Sequence, residues 1–154
     1  MSEPDLAHLA KLKLLLHHDG IRSAMAYLNS LTAHRFTALY RLDAQTARAL
    51  YFFDRKHPWV ETTPDHPVNQ TYCVVVLERR RPLVIDDAES EPWLAEHPAR
   101  RAVRSYCGVP VAPAGAPYGA LCHYDVLPRA TGDDTVGLLQ AFAGLLCARL
   151  PATG

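Results

Sequence analysis

The chain has 154 residues, 49% of them hydrophobic and 21% charged, and its 16 basic side chains balance 16 acidic ones. That length fits one domain with a sizeable core, and zero formal net charge argues against general nucleic-acid binding, which needs net positive surface. No apolar run approaches the roughly 20 residues of a membrane helix, and the N-terminus has no signal-peptide pattern, so we expect a cytoplasmic protein whose four cysteines, Cys73, Cys107, Cys122 and Cys147, are reduced.

Residues 4–18 read as a helix. Pro4 and Asp5 suit its first turn, and Leu6, Leu9, Leu12 and Leu16 recur at helical spacing. His17, His18, Asp19 and Gly20 supply a stop or kink, and a second helical run follows over 21–32 with Ile21, Met25, Leu28 and Leu31 on one face. Phe36–Leu42 reads as a strand with Ala47–Phe53 as its hairpin partner. The period of two puts Phe36, Ala38 and Tyr40 on one face and Thr37, Leu39 and Arg41 on the other.

A long polar loop, 54–69, comes next. Loops of that length are often functional. Trp59 within it is expected to plug the structure or to cover a ligand. We assign no metal to His57, Asp65 and His66. Gln70–Arg80 reads as a helix, although Val74, Val75 and Val76 fit a buried strand equally well. Pro82–Asp86 is a short strand, and 89–104 is expected to make short helical turns around Trp93 and Leu94.

Residues 105–125 read as two covered strands joined by the Pro/Gly turn of 112–117. Both arms are almost wholly apolar or aromatic, yet they carry two Cys, a His, Tyr residues and an Asp. Polar groups on a covered strand must find partners or line a cavity. A last helix is expected to run from Asp133 to Leu150, with Val136, Leu139, Ala143, Leu146 and Leu150 as its apolar face. The whole is an α+β layer fold. The terminal helices cover one sheet face, and the loop and short helices form an irregular, cavity-prone layer on the other.

Four segments carry a resemblance: Ser105-Tyr106-Cys107-Gly108-Val109-Pro110-Val111, Tyr118-Gly119-Ala120-Leu121-Cys122-His123-Tyr124-Asp125, Thr71-Tyr72-Cys73, and Arg81-Pro82-Leu83-Val84-Ile85-Asp86-Asp87-Ala88. With the order of elements, they resemble a GAF domain over nearly the whole chain. The sequence looks like a stand-alone GAF protein, with 1–154 as a single domain. The resemblance implies a GAF/PAS-like antiparallel sheet of about six strands, with terminal helices on one face and a ligand pocket on the other. Members bind cyclic nucleotides, bilins, haem or metabolites, so fold alone does not select a ligand.

The Asn-Lys-Phe-Asp-Glu signature of cyclic-nucleotide members is absent. The one adjacent Cys-His pair, Cys122-His123, lies on a strand, unlike the pairs near the pocket helices of bilin-binding members. Alignment on free methionine-R-sulfoxide reductase puts Tyr106 at its glutamate, Ala99 at its catalytic cysteine, and Cys122 and Tyr124 at its paired aspartates. Those replacements argue against transferring the activity. The same alignment implies that Tyr106, Gly108, Cys122 and Tyr124, with Phe36, Ala38 and Tyr40, face the pocket, while Cys107, Val109 and His123 face the helices.

The candidate ligand-binding residues are therefore Phe36, Tyr40, Tyr106, Gly108, Cys122 and Tyr124, with Tyr72 and Cys73 at the entry to the middle helix and Arg104 at the mouth. An aromatic wall without obvious charge suits a neutral or planar small molecule. We assign no cofactor. No Ser-His-Asp or paired-carboxylate arrangement is visible, so the reading is a non-enzymatic binding or sensory module. It would pair as a homodimer through its terminal helices and report through a separate protein partner. The alternative is a cysteine-dependent redox sensor or enzyme, similar to free methionine-R-sulfoxide reductase, using Cys73, near the start of a helix, and Cys122. His123 cannot activate Cys122, because strand neighbours point to opposite faces.

Overall fold

The computed structural model describes residues 1–150. Helix α1 spans Glu3–His18, and the Ser2 hydroxyl caps it by accepting from the Asp5 N–H. Gly20 then adopts φ of 97°, a left-handed turn that glycine takes without strain, and the chain enters α2, Ile21–Ser30. The strands are β1 (Phe36–Leu42), β2 (Thr46–Asp54), β3 (His66–Pro67), β4 (Leu83–Ile85), β5 (Ser105–Val111) and β6 (Gly119–Asp125). Helix α3 spans Cys73–Arg79 and α4 spans Asp133–Cys147. The sheet order is β3-β2-β1-β6-β5-β4, with every neighbouring pair antiparallel.

The sheet separates two cores. On one face Leu39, Val109 and Leu121 meet Leu12 and Leu16 of α1, Met25 and Leu28 of α2, and Leu139, Phe142 and Leu146 of α4. On the other, Ala38, Tyr40, Tyr106 and Cys122 meet Tyr72, Cys73 and Val76 at α3, together with Ile85 and Leu94. Strand alternation thus sorts the two faces as the period of two requires. Gly119 matters at the β1–β6 seam: a Cβ there would lie 1.8 Å from the Tyr40 carbonyl oxygen, so only glycine permits this approach.

Several expectations need correction. Of the leucine stripe on α1, Leu12 and Leu16 are buried and Leu9 packs against the core, but Leu6 in the first turn is 54% exposed. The middle helix forms as read but starts at Cys73 rather than Gln70, and of Val74, Val75 and Val76 only Val76 is buried. The last helix ends at Cys147, short of Leu150. Trp59 neither plugs nor covers anything: it is 74% exposed. Its loop is tethered from below by Arg22, whose guanidinium donates to the Phe52, Pro58 and Val60 carbonyls and pairs with Glu61 at 3.7 Å. Strand β3 pairs only with Thr46 and Ala47 of β2.

The helix-side face encloses one polar island. His123 Nδ1 lies 2.6 Å from Thr37 Oγ1, which also accepts from Asn29 Nδ2 at 2.9 Å. The His34 ring stacks on His123 with centroids 5.8 Å apart, and its Nδ1 is 2.7 Å from Thr32 Oγ1. Burial lowers the pKa of His34 to about 4 and that of His123 to about 3, so both rings are neutral.

Candidate functional site

A cavity of about 220 Å³ opens on the sheet face away from the terminal helices. The sheet contributes Tyr40, Tyr106, Cys122 and Tyr124 to it. The approach to α3 contributes His66, Gln70, Thr71, Tyr72 and Cys73, and the segment before β5 contributes Pro98, Ala99, Ala102 and Val103. The register explains the first group. Tyr106 pairs with Tyr124, Gly108 with Cys122, and Ala38 with Cys122 from the other side, so one face of three adjacent strands converges here.

Gly108 acts through its missing side chain. A Cβ at Gly108 would lie 2.3 Å from the Tyr106 hydroxyl oxygen. The Tyr106 ring therefore lies along its own strand, over the glycine, and its hydroxyl donates to Cys73 Sγ at 3.2 Å. Cys73 is the first residue of α3. The Cys122 thiol, across from Gly108 on the neighbouring strand, donates to the Ala38 carbonyl at 3.7 Å. Hydrogen bonds from Cys122, Tyr106 and the backbone at the helix start hold the Cys73 thiol below its ordinary pKa, against the opposing effect of burial. Burial pushes Cys122 and Tyr106 well up.

The remaining wall is aromatic. The Tyr40 and Tyr124 hydroxyls are 2.9 Å apart. One donates to the other, which leaves one hydrogen of the pair free to donate elsewhere. Burial raises both pKa values, so both phenols stay protonated. Tyr72 donates to the Val103 carbonyl at 3.0 Å, meets the Tyr106 ring edge-on at 5.4 Å, and lies against His97 with ring centroids 4.7 Å apart. Burial lifts the Tyr72 phenol to about 12 and lowers His97 below its ordinary value. The polar atoms offered to a guest are thus phenol hydroxyls, thiols and the side chains of Gln70, Thr71 and His66.

Tyr40, Tyr72, Cys73, Tyr106, Cys122 and Tyr124 come together around the cavity, and three other candidates do not. Phe36 sits behind the wall, stacked on Tyr124 at 4.9 Å. Gly108 lies beneath the Tyr106 ring. Arg104 is not a cation at the mouth: it makes a bidentate pair with Asp87, 2.9 Å on each arm, and lies 3.6 Å from Glu89. On the helix side, Cys107 is fully buried, and burial lifts its thiol to about 12.

Sequence reasoning missed His66, Gln70, Thr71 and the stretch from Pro98 to Val103. The latter carries one usable signal, the small apolar residues Ala99, Ala102 and Val103 set among charged neighbours.

Comparison with known proteins agrees with this architecture. The family model of the GAF domain matches residues 14–150. Among solved structures, the GAF domain of an Acinetobacter phosphoenolpyruvate-protein phosphotransferase superposes with a TM-score of 0.76 at 16% identity, covering 96% of this chain and 93% of that one. Free methionine-R-sulfoxide reductase from Neisseria meningitidis, in complex with its substrate, gives 0.74 at 16% identity over 99% of this chain and 93% of its own. The phycocyanobilin-bound GAF domain from a cyanobacterial phytochrome gives 0.73 at 13% identity over 97% and 94%. No curated protein matches the sequence. At these identities the likeness to solved structures shows the fold alone.

Proposed function

The chain belongs to the GAF domain family, and from that premise we propose that its pocket binds a neutral or planar small molecule and that the protein is a sensory module rather than an enzyme. The observation that carries this reading is the cavity itself: about 220 Å³ walled by Tyr40, Tyr72, Tyr106 and Tyr124. Flat rings present large apolar faces to a flat guest, and the spare hydroxyl hydrogen of the Tyr40–Tyr124 pair offers a donor to a carbonyl or ring nitrogen. No Arg, Lys, Asp or Glu stands among the lining residues, so a di-anion would be desolvated there without a partner. Two neighbours of the same fold were solved with a substrate and with a bilin, respectively. Those ligands belong to those proteins.

No helix of the described residues is long and apolar enough to cross a membrane, and we place the protein in the cytoplasm. Leu6 and Leu14 stand 54% and 60% exposed on α1, which supports a homodimer through the terminal helices. Such a dimer would pass the signal to a separate protein.

A thermal-shift screen of neutral heteroaromatic compounds against anionic ones tests the binding reading. A ligand at a hundred times its Kd stabilises by about 2.7 kcal/mol, or roughly 5–10 °C for a domain of this size. Ala99→Trp, which fills the cavity, is expected to abolish the shift. Binding confined to anionic compounds, or a shift that survives Ala99→Trp, would overturn the assignment.

A further inference from the structure

We propose that Cys73 and Cys122 form a hydroperoxide-reactive pair on the cavity wall, with Cys73 as the attacking thiol and Cys122 as the resolving one. The inference rests on the pocket being open to small molecules, as in the reading above. Three features carry it. Both cysteines line the cavity, so a small oxidant reaches them without unfolding, although each is buried from bulk solvent. The two thiols flank one point of the wall: Cys122 of β6 stands directly across from Gly108 on β5, and the Tyr106 hydroxyl, which lies over Gly108, reaches the sulfur of Cys73 at the start of α3. The Tyr106 hydroxyl donates to Cys73 Sγ at 3.2 Å, a contact that stabilises negative charge on that sulfur.

The same geometry ranks the other thiols. Cys107 neighbours Tyr106 in sequence but faces the helix-side core, away from the cavity. Cys147 is the last residue of α4 and lies outside the lining. Cys73 is also the thiol held below its ordinary pKa, while burial raises Cys107 and Cys122.

The Cys73 thiolate attacks the terminal oxygen of a hydroperoxide and the O–O bond breaks. The departing alkoxide or hydroxide leaves as alcohol or water, having taken up the proton that Cys73 lost. Cys73 is now a sulfenic acid, oxidised by two electrons. The Cys122 sulfur then attacks the Cys73 sulfur, the S–O bond breaks, and hydroxide leaves as water with the Cys122 proton. One hydroperoxide and two thiols yield one disulfide, one water and one alcohol, or a second water when the oxidant is hydrogen peroxide. Tyr106 is a positioning residue: it holds the attacking sulfur and favours its ionised form.

The test uses the full chain carrying Cys147→Ala, which removes the thiol on α4, and hydrogen peroxide as the probe. We expect loss of two mass units, loss of two titratable thiols, and a non-reducing peptide map that joins the Cys73 and Cys122 peptides. In Cys122→Ser, a dimedone adduct is expected to accumulate on Cys73. In Cys73→Ser, the peroxide rate is expected to fall at least tenfold. Tyr106→Phe is expected to move the pH–rate profile to higher pH, an effect that a merely structural role would not produce. Reaction of Cys107 first, or no two-unit loss before tyrosine and tryptophan fluorescence report unfolding, overturns the proposal. Ligand-induced thermal shifts without a Cys73–Cys122 bond overturn it while leaving the binding reading in place. A bond in a protein that no screened compound stabilises supports it and removes the binding reading alone.

Discussion

Acidification from pH 7 to pH 5 is expected to weaken this protein substantially, and the cause lies in the stacked pair His34 and His123. Both rings are essentially inaccessible, at 0% and 1% exposure. Each is held neutral in the fold, His34 at about 4 and His123 at about 3. In the unfolded chain both titrate near 6.5, so the unfolded state takes up protons first as the pH drops. Stability is therefore greatest above pH 6.5 and is lost as pH falls toward the folded values. Between pH 7 and pH 5 each histidine removes about 2 kcal/mol, so the pair removes about 4 kcal/mol, a large share of the roughly 5–15 kcal/mol of a typical domain.

The groups acting on the pair from neighbouring elements are Asp125, Asp86, Arg129 and Arg55, of mixed sign, and burial outweighs them all. Asp54 and Asp125 are held below the ordinary carboxylate range, so they add to the loss only at lower pH. His97, also lowered by burial, adds in the same direction. The assay is urea unfolding followed by intrinsic fluorescence at pH 7, 6 and 5. His34→Gln and His123→Gln, which keep hydrogen-bonding capacity but do not titrate, are each expected to remove about half of the pH slope. An unfolding midpoint that stays level from pH 7 to pH 5, or a slope that survives the double substitution, would refute the reasoning.

Gly119→Ala is expected to destabilise by at least about 3 kcal/mol in the same assay, because its Cβ would meet backbone, the Tyr40 carbonyl, which cannot swing aside. Gly108→Ala meets the far edge of the Tyr106 ring rather than backbone. Its cost is expected to be about 1–3 kcal/mol, and with the Tyr106–Cys73 contact displaced, iodoacetamide labelling of Cys73 should require higher pH. Arg104→Ala is expected to leave the affinity of any pocket ligand unchanged in titration calorimetry, since Arg104 is committed to Asp87 rather than to the cavity.

The parts of the fold that were legible are those whose signal is local and periodic. Alternation along Phe36–Tyr40 and through the 105–125 hairpin sorted pocket-facing from helix-facing side chains, because a strand has no other way to place them. The family resemblance supplied what lay on each face. Misreadings arose where distant partners decide. Arg104 precedes Tyr106 by two residues, which put it at the mouth, but Asp87, seventeen residues earlier, captures its guanidinium. The stretch Pro98–Val103 has no periodicity, and its place on the cavity wall follows from contacts made elsewhere in the chain. His34 gave no signal at all, since its stacking partner arrives only when β6 pairs with β1.

Arg22 has a further consequence for the protein in concentrated solution. Among the described residues, β2 has no strand neighbour on its outer side beyond Ala47, because β3 covers only two residues. An open strand edge is a template onto which another chain can add. The Arg22 guanidinium spans that margin, occupying the Phe52 carbonyl and the loop carbonyls of Pro58 and Val60. Arg48 on the same strand pairs with Asp65 at 3.4 Å, so side chains line this margin as well. Removing Arg22 would free these carbonyls, and the effect is expected to appear first as concentration-dependent assembly rather than as a lower melting temperature.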